Sequence, residues 1–234
     1  MTLTDEQIEA LYVFCREHYV TYYDVQVELV DHMASSIEQL MAADPKLTFD
    51  QARQKAFKGF GYKGFSGVVE ERTQQAQIAS RRRVWKFFLS CFSWPKMMQT
   101  LLILTVLYCL QFYLPLSVLK WVTVGCSGFL VILEGFLVGR QWLRFRKPSR
   151  PLLMMQKAWP FQFTSAMMLN VYYNLFMGLR RLDGEKQFVT LTYDLYILAF
   201  VITLALILAV YDTKRRIYVT AREKYPAAFP IPAV

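Results

Sequence analysis

Apolar residues recur along this chain in two rhythms. Over the N-terminal third they return every three or four positions among polar neighbours, the signature of amphipathic helices. From about residue 95 they merge into runs close to the twenty or so residues a helix needs to cross a bilayer. In the first part, Thr4-Asp5-Glu6-Gln7 and Thr48-Phe49-Asp50-Gln51 read as capping boxes, in which a hydroxyl and a side-chain amide satisfy orphan backbone N–H groups reciprocally. Behind the first, Ile8, Leu11, Tyr12, Cys15 and Tyr19 share a helical face. A second helix over about 22–41 places Val25, Leu29, Met33, Ile37 and Leu40 on one face, and Asp44-Pro45 ends it. A third over about 49–58 buries Ala52, Ala56 and Phe57, with Gly59 and Gly61 as its exit. A fourth starts near Ser66 and runs on through Arg81-Arg82-Arg83.

The apolar half divides into spans at about 97–114, 116–138, 158–179 and 188–211, the first two joined by a short link around Pro115. The reading is an all-α integral membrane protein: four transmembrane helices preceded by a small cytoplasmic helical bundle. Its parts are the bundle at 1–75, a basic-aromatic juxtamembrane helix at 76–94, the membrane domain at 95–212 and a Pro-rich cytoplasmic tail at 213–234, irregular from Tyr225-Pro226 through Pro230-Ile231-Pro232. Composition agrees, with 55% hydrophobic and 19% charged residues, against about 25% charged in soluble domains.

Charge adds an orientation. The net charge is +9, yet residues 1–80 are acidic and the excess of Lys and Arg lies beyond them. Cations precede the first span (Arg81, Arg82, Arg83, Lys86), fill the link between the second and third (Arg140, Arg144, Arg146, Lys147, Arg150) and follow the fourth (Lys214, Arg215, Arg216, Arg222, Lys224). By the positive-inside rule these segments are cytoplasmic, giving both termini inside. Trp85, Trp94, Trp142 and Trp159 then fall near the inner interface, Tyr113 and Trp121 near the outer one. Cations that flank apolar runs, rather than line a polar face, argue against nucleic acid as a partner. The polar, acidic start is unlike a secretory signal peptide. The four cysteines form no CxxC pair, and they read as reduced and structural.

The second helix carries the most chemistry. Asp24, Glu28, Asp31 and His32 are candidates for partner binding. Glu28 and His32 have a spacing that can hold a metal, but no second His-rich helix completes a shell, so no metal or cofactor is assigned. The run Tyr23-Asp24-Val25-Gln26-Val27-Glu28-Leu29-Val30-Asp31-His32, then Leu47-Thr48-Phe49-Asp50-Gln51-Ala52, then Gly59-Phe60-Gly61 resembles the bacterial HAAS-type helical domain. In that family an acidic helix ending in Asp/Glu-x-x-His or Asp-His precedes a loop and a helix that closes at Phe-Gly or Leu-Gly. The resemblance covers residues 1–75. It implies the N-terminus of a small multi-span membrane protein of the bacterial inner membrane, often encoded beside PadR-type regulators, and a role in signalling or regulation.

Arg81, Arg82, Arg83, Trp85 and Lys86 read as a helix lying on anionic lipid headgroups. Inside the spans, Glu134, Asn170, Asn174 and Asp194 are the polar candidates. Neither acid sits at mid-membrane, which favours interfacial ion pairs and interhelical hydrogen bonds over a path for substrate. No HExxH, GxSxG or paired mid-membrane aspartates are present. The functional expectation is therefore a non-catalytic regulatory or accessory protein whose cytoplasmic helices bind a protein partner or a second copy. A small transporter or channel subunit using the four polar candidates is the alternative.

Overall fold

The computed structural model describes residues 3–145, 147–156, 173 and 186–229. Among them all regular structure is helical: α1 (Asp5–Glu17), α2 (Tyr23–Ala43), α3 (Phe49–Lys58), α4 (Phe65–Cys91), α5 (Lys96–Tyr113), α6 (Leu116–Arg144), α7 (Leu153–Gln156) and α8 (Lys186–Lys224), then a 3-10 turn at Pro226–Ala228. The chain divides into two compact units. One is Met1–Ala79 with Lys147–Trp159 and Ile217–Val234; the other is Ser80–Arg146 with Pro160–Arg216.

In the first unit both capping boxes form. Thr4 Oγ1 accepts the Gln7 N–H at 3.3 Å while Gln7 Oε1 accepts that of Thr4 at 3.0 Å; Thr48 and Gln51 repeat the exchange at 3.4 and 3.2 Å. Leu11 and Cys15 of α1, Val25, Leu29, Met33 and Ile37 of α2, Ala52 and Ala56 of α3 and Phe65 of α4 make one core. Burial pushes the Cys15 thiol up to about 12, so it stays protonated and packs as a small hydrophobe. Tyr19 departs from the face predicted for it. It sits beyond the end of α1 at φ +62 and is 92% exposed. The Val20 N–H bonds to the Cys15 carbonyl and the Tyr19 N–H to that of Arg16, both at 3.1 Å. That is a Schellman closure with tyrosine where glycine is usual, and Val20 takes the core place that the periodicity gave to Tyr19.

In the second unit α8 is the inner helix: half of its most apolar stretch is buried, against 11% for α6. Leu130 of α6 clusters with Tyr196, Phe200, Val201 and Ile207 of α8, with Leu104 and Leu107 of α5 alongside. Val84 of α4 meets Ala209 and Val210. Leu119 packs at Tyr193 and Ile197, while Gln141 donates to the Tyr211 carbonyl at 3.4 Å. Early α6 thus meets early α8 and late meets late, so the two helices run parallel.

Among the described residues two helices, Trp121–Arg144 within α6 and Tyr193–Lys224 within α8, are long and apolar enough to cross a membrane. A third crossing is counted if α4 and α5, bent by 67° at their junction, act together. The spans expected at 97–114, 116–138 and 188–211 fall on α5, α6 and α8; the one at 158–179 lies outside the described residues, Tyr173 excepted. Both α6 and α8 outrun the ends drawn at 138 and 211. Charge marks where a helix leaves hydrocarbon, not where it stops, and Ile217, Tyr218 and Ala221 continue a buried face after the last apolar run. Trp94 and Tyr113 bracket α5, and Trp121 and Trp142 are separated along α6 by about 30 Å at 1.5 Å per residue, the thickness of a hydrocarbon core. All four side chains are exposed.

Two substitutions separate core packing from backbone conformation. Leu29→Ala is expected to destabilise the first unit by about 2–5 kcal/mol through the cavity it leaves. Tyr19→Gly is expected to stabilise it by about 0.5–1 kcal/mol by relieving the left-handed conformation. Denaturant unfolding followed by circular dichroism reads both signs.

Candidate functional site

The acidic row on α2 is not one solvated face. Its four members have three environments, set by their position around the helix. Asp24 is 8% exposed. Its Oδ1 accepts the Leu153 N–H at 2.9 Å and that of Val25 at 3.1 Å, and its Oδ2 accepts the Met154 N–H at 3.0 Å. The Asp24 side chain is thereby taken up within the protein. Around it, the Tyr23 N–H donates to the Pro151 carbonyl at 2.8 Å, and the Arg150 guanidinium lies 4.8 Å over the Tyr23 ring. Tyr12 and Tyr225 flank the same ring at 6.3 and 6.4 Å. Glu28 accepts a charge-assisted hydrogen bond from Arg72 of α4 and lies 3.8 Å from His32 Nε2. Asp31 and His32 are exposed. Among the described residues no three His, Cys, Asp or Glu side chains converge as metal ligands.

His18, the other histidine, closes an aromatic cluster. Its ring lies 4.1 Å from Phe14, 4.6 Å from Phe57 and 5.7 Å from Phe65. His18 Nδ1 is 2.8 Å from the Phe14 carbonyl, which assigns the proton to that nitrogen. Tyr19 follows His18 directly, and Tyr62 sits in the turn between Phe57 and Phe65, 96% exposed. Two tyrosines therefore stand in solvent on segments anchored in the same cluster. Periodicity assigned Tyr19 to the core and gave Tyr62 no role.

In the second unit, Arg81, Arg82, Arg83, Trp85 and Lys86 are all exposed while Val84 between them is buried, as a helix with one packed edge requires. Trp85 stacks on Phe88 at 5.2 Å. Glu134 is half-buried and lines a cavity of about 30 Å³ with Gln141, Tyr211 and Lys214, roomy enough for about one water. Lys214, from the other helix, α8, is the cation that shares this cavity with Glu134. Asp194 lines a separate, open groove with Leu104, Thr105 and Tyr108. Asn170 and Asn174 lie outside the described residues. A polar tie unmarked in the sequence joins α6 to α8: the Tyr196 hydroxyl donates to the Thr123 carbonyl at 2.6 Å and lies 2.9 Å from Ser127 Oγ.

No family model, curated protein or solved structure matches the chain. Its function is therefore argued from its own residues.

Tyr196→Phe keeps the packing and removes the hydroxyl that bridges α6 and α8. The expected loss of stability is about 0.6–1.7 kcal/mol, the range for interhelical hydrogen bonds in bilayers. Unfolding in mixed micelles of increasing denaturing-detergent fraction measures it.

Proposed function

We propose that this chain is a non-catalytic regulatory or accessory protein of a bacterial inner membrane, with four crossings, both termini cytoplasmic, and a cytoplasmic helical unit that binds a protein partner. The parallel course of α6 and α8 supports the crossing number, because two parallel neighbours need a return passage between them. The orientation is supported by the placement of cations in the second unit. Arg140 and Arg144 end α6, Lys214, Arg215 and Arg216 follow the buried stretch of α8, and Val84, beside Arg81, Arg82 and Arg83, packs at Ala209 and Val210. Basic groups gathered at one end of a helix set mark the cytoplasmic side. The exposed Trp85 and the arginines before it suit anionic headgroups there.

The observation that carries the partner reading is the pair Tyr19 and Tyr62. A tyrosine in a left-handed conformation costs stability that glycine would not, and strain of this kind gathers at functional sites. Tyrosine is also enriched among the residues that dominate binding energy. Asp31 and His32, the exposed remnant of the acidic row, offer a second contact area on the same unit. The HAAS-like pattern of residues 1–75 points to the same class of role. A transporter or channel subunit has less support: among the described residues the Glu134 cavity and the Asp194 groove share no lining residue.

Affinity capture of the full chain from membranes in mild detergent is expected to recover a stoichiometric partner. The double variant Tyr19→Gly, Tyr62→Ser is expected to lose at least about tenfold in capture, the loss of one or two hot-spot residues, while remaining at least as stable as the parent. Capture unchanged in that variant and in Asp31→Ala, His32→Ala would contradict the reading.

A further inference from the structure

Residues 149–156 form a strap along the head of α2, and its contacts differ in kind from those inside α1–α3. Between the helices the core is apolar and spread over many side chains. The strap sends Leu153 into that core and buries Leu152 beside it, but Met154 and Met155 stay half-exposed and Arg150 and Gln156 are exposed. Its remaining attachment is polar and local. Two consecutive N–H groups, Leu153 and Met154, meet the two oxygens of one carboxylate, Asp24, and the Pro151 carbonyl accepts the Tyr23 N–H next to it. The strap in turn holds the C-terminal tail: the Ala228 carbonyl accepts both the N–H and the hydroxyl of Ser149, at 2.8 and 3.0 Å. Tyr225 packs edge-on against Tyr23, and Phe229 packs on Tyr218 at 5.7 Å.

We infer that Asp24 is a latch: its carboxylate holds the strap, and through Ser149 the tail, on the head of α2, and its release frees both segments while α1–α3 stay folded. Charge-assisted hydrogen bonds to a buried carboxylate are roughly twice as strong as neutral ones, and this carboxylate receives three. Substitution by Asn leaves the Leu153 and Met154 N–H groups sharing one amide oxygen, with an NH2 group facing them. The apolar packing of α1–α3 does not pass through that point. Release uncovers the seat of Leu153 at the head of α2. The strap follows α6 in the chain and the tail ends α8, so a pull on either segment bears on the same few hydrogen bonds. The inference stands on these contacts alone and does not depend on the partner reading.

Hydrogen exchange of the full chain in lipid nanodiscs, read by mass spectrometry, tests it. In Asp24→Asn, peptides covering 149–156 and 225–229 are expected to exchange at least about tenfold faster, the loss of one or two charge-assisted bonds. Peptides from α1 and α3 should stay within about twofold of the parent. If that variant does not accumulate, Arg150→Ala removes an exposed cation from the Tyr23 ring and is expected to speed the same two segments selectively. Unchanged exchange in 149–156, or acceleration of α1 and α3 to the same degree as the strap, would overturn the latch in either variant.

Discussion

Asp24 is buried at the head of α2, and its oxygens accept N–H groups from its own helix start and from residues 129 and 130 positions further along. A buried carboxylate without such donors is costly, since desolvation removes several kcal/mol that only specific partners restore. The donors available are main-chain groups at the start of α7, which have no helical acceptor of their own. Each side of the contact therefore satisfies the other. Much else in the first unit follows: the course of residues 149–156, the seat of Leu153 in the core, the packing of Tyr12, Tyr225 and Arg150 about Tyr23, and the landing of Ala228 on Ser149.

The second unit is held by different means. Helices in hydrocarbon gain little from apolar burial against one another, so close packing and a few interhelical hydrogen bonds decide their arrangement. Here α8 is the packed axis, and Tyr196 ties it to the α6 main chain at Thr123. Gly125, Gly128, Gly135 and Gly139, small residues of the kind that allow close approach, have no described atom beyond their chain neighbours and own helix backbone within 4 Å of where a side chain would begin. Hydrogen bonds of Tyr196 and Gln141 tie α6 to α8.

Local features were legible in the sequence because their causes are local. The capping boxes at Thr4 and Thr48 involve residues three apart, and the α2 face from Val25 to Ile37 is plain periodicity. The all-helical class and the apolar runs of α6 and α8 are equally open to reading. What was hidden depends on long separations or on backbone conformation. Nothing near Asp24 in sequence announces that residues 153 and 154 will supply its donors, so an i,i+4 row of acids looks like a solvated face. Tyr19 fits the helical repeat, and only the left-handed closure after Glu17 turns it outward and seats Val20 in its place. The Pro-rich tail reads as irregular; part of its docking rests on the Ala228 carbonyl, which carries no side-chain signal. Glu134 stands out as a charge within an apolar run, but Lys214, which shares its cavity from the parallel helix, lies 80 positions away.

The central claim is that the N-terminal helices, the strap and the tail form one body organised at Asp24. Pulsed electron–electron resonance between spin labels at two exposed positions, Gln39 on α2 and Ala227 in the tail, tests it most directly. The chain should be in lipid bilayers, with its native cysteines replaced. The account predicts one narrow distance distribution that broadens when Asp24 is changed to Asn. A broad distribution in the parent protein, unaffected by that change, would contradict it.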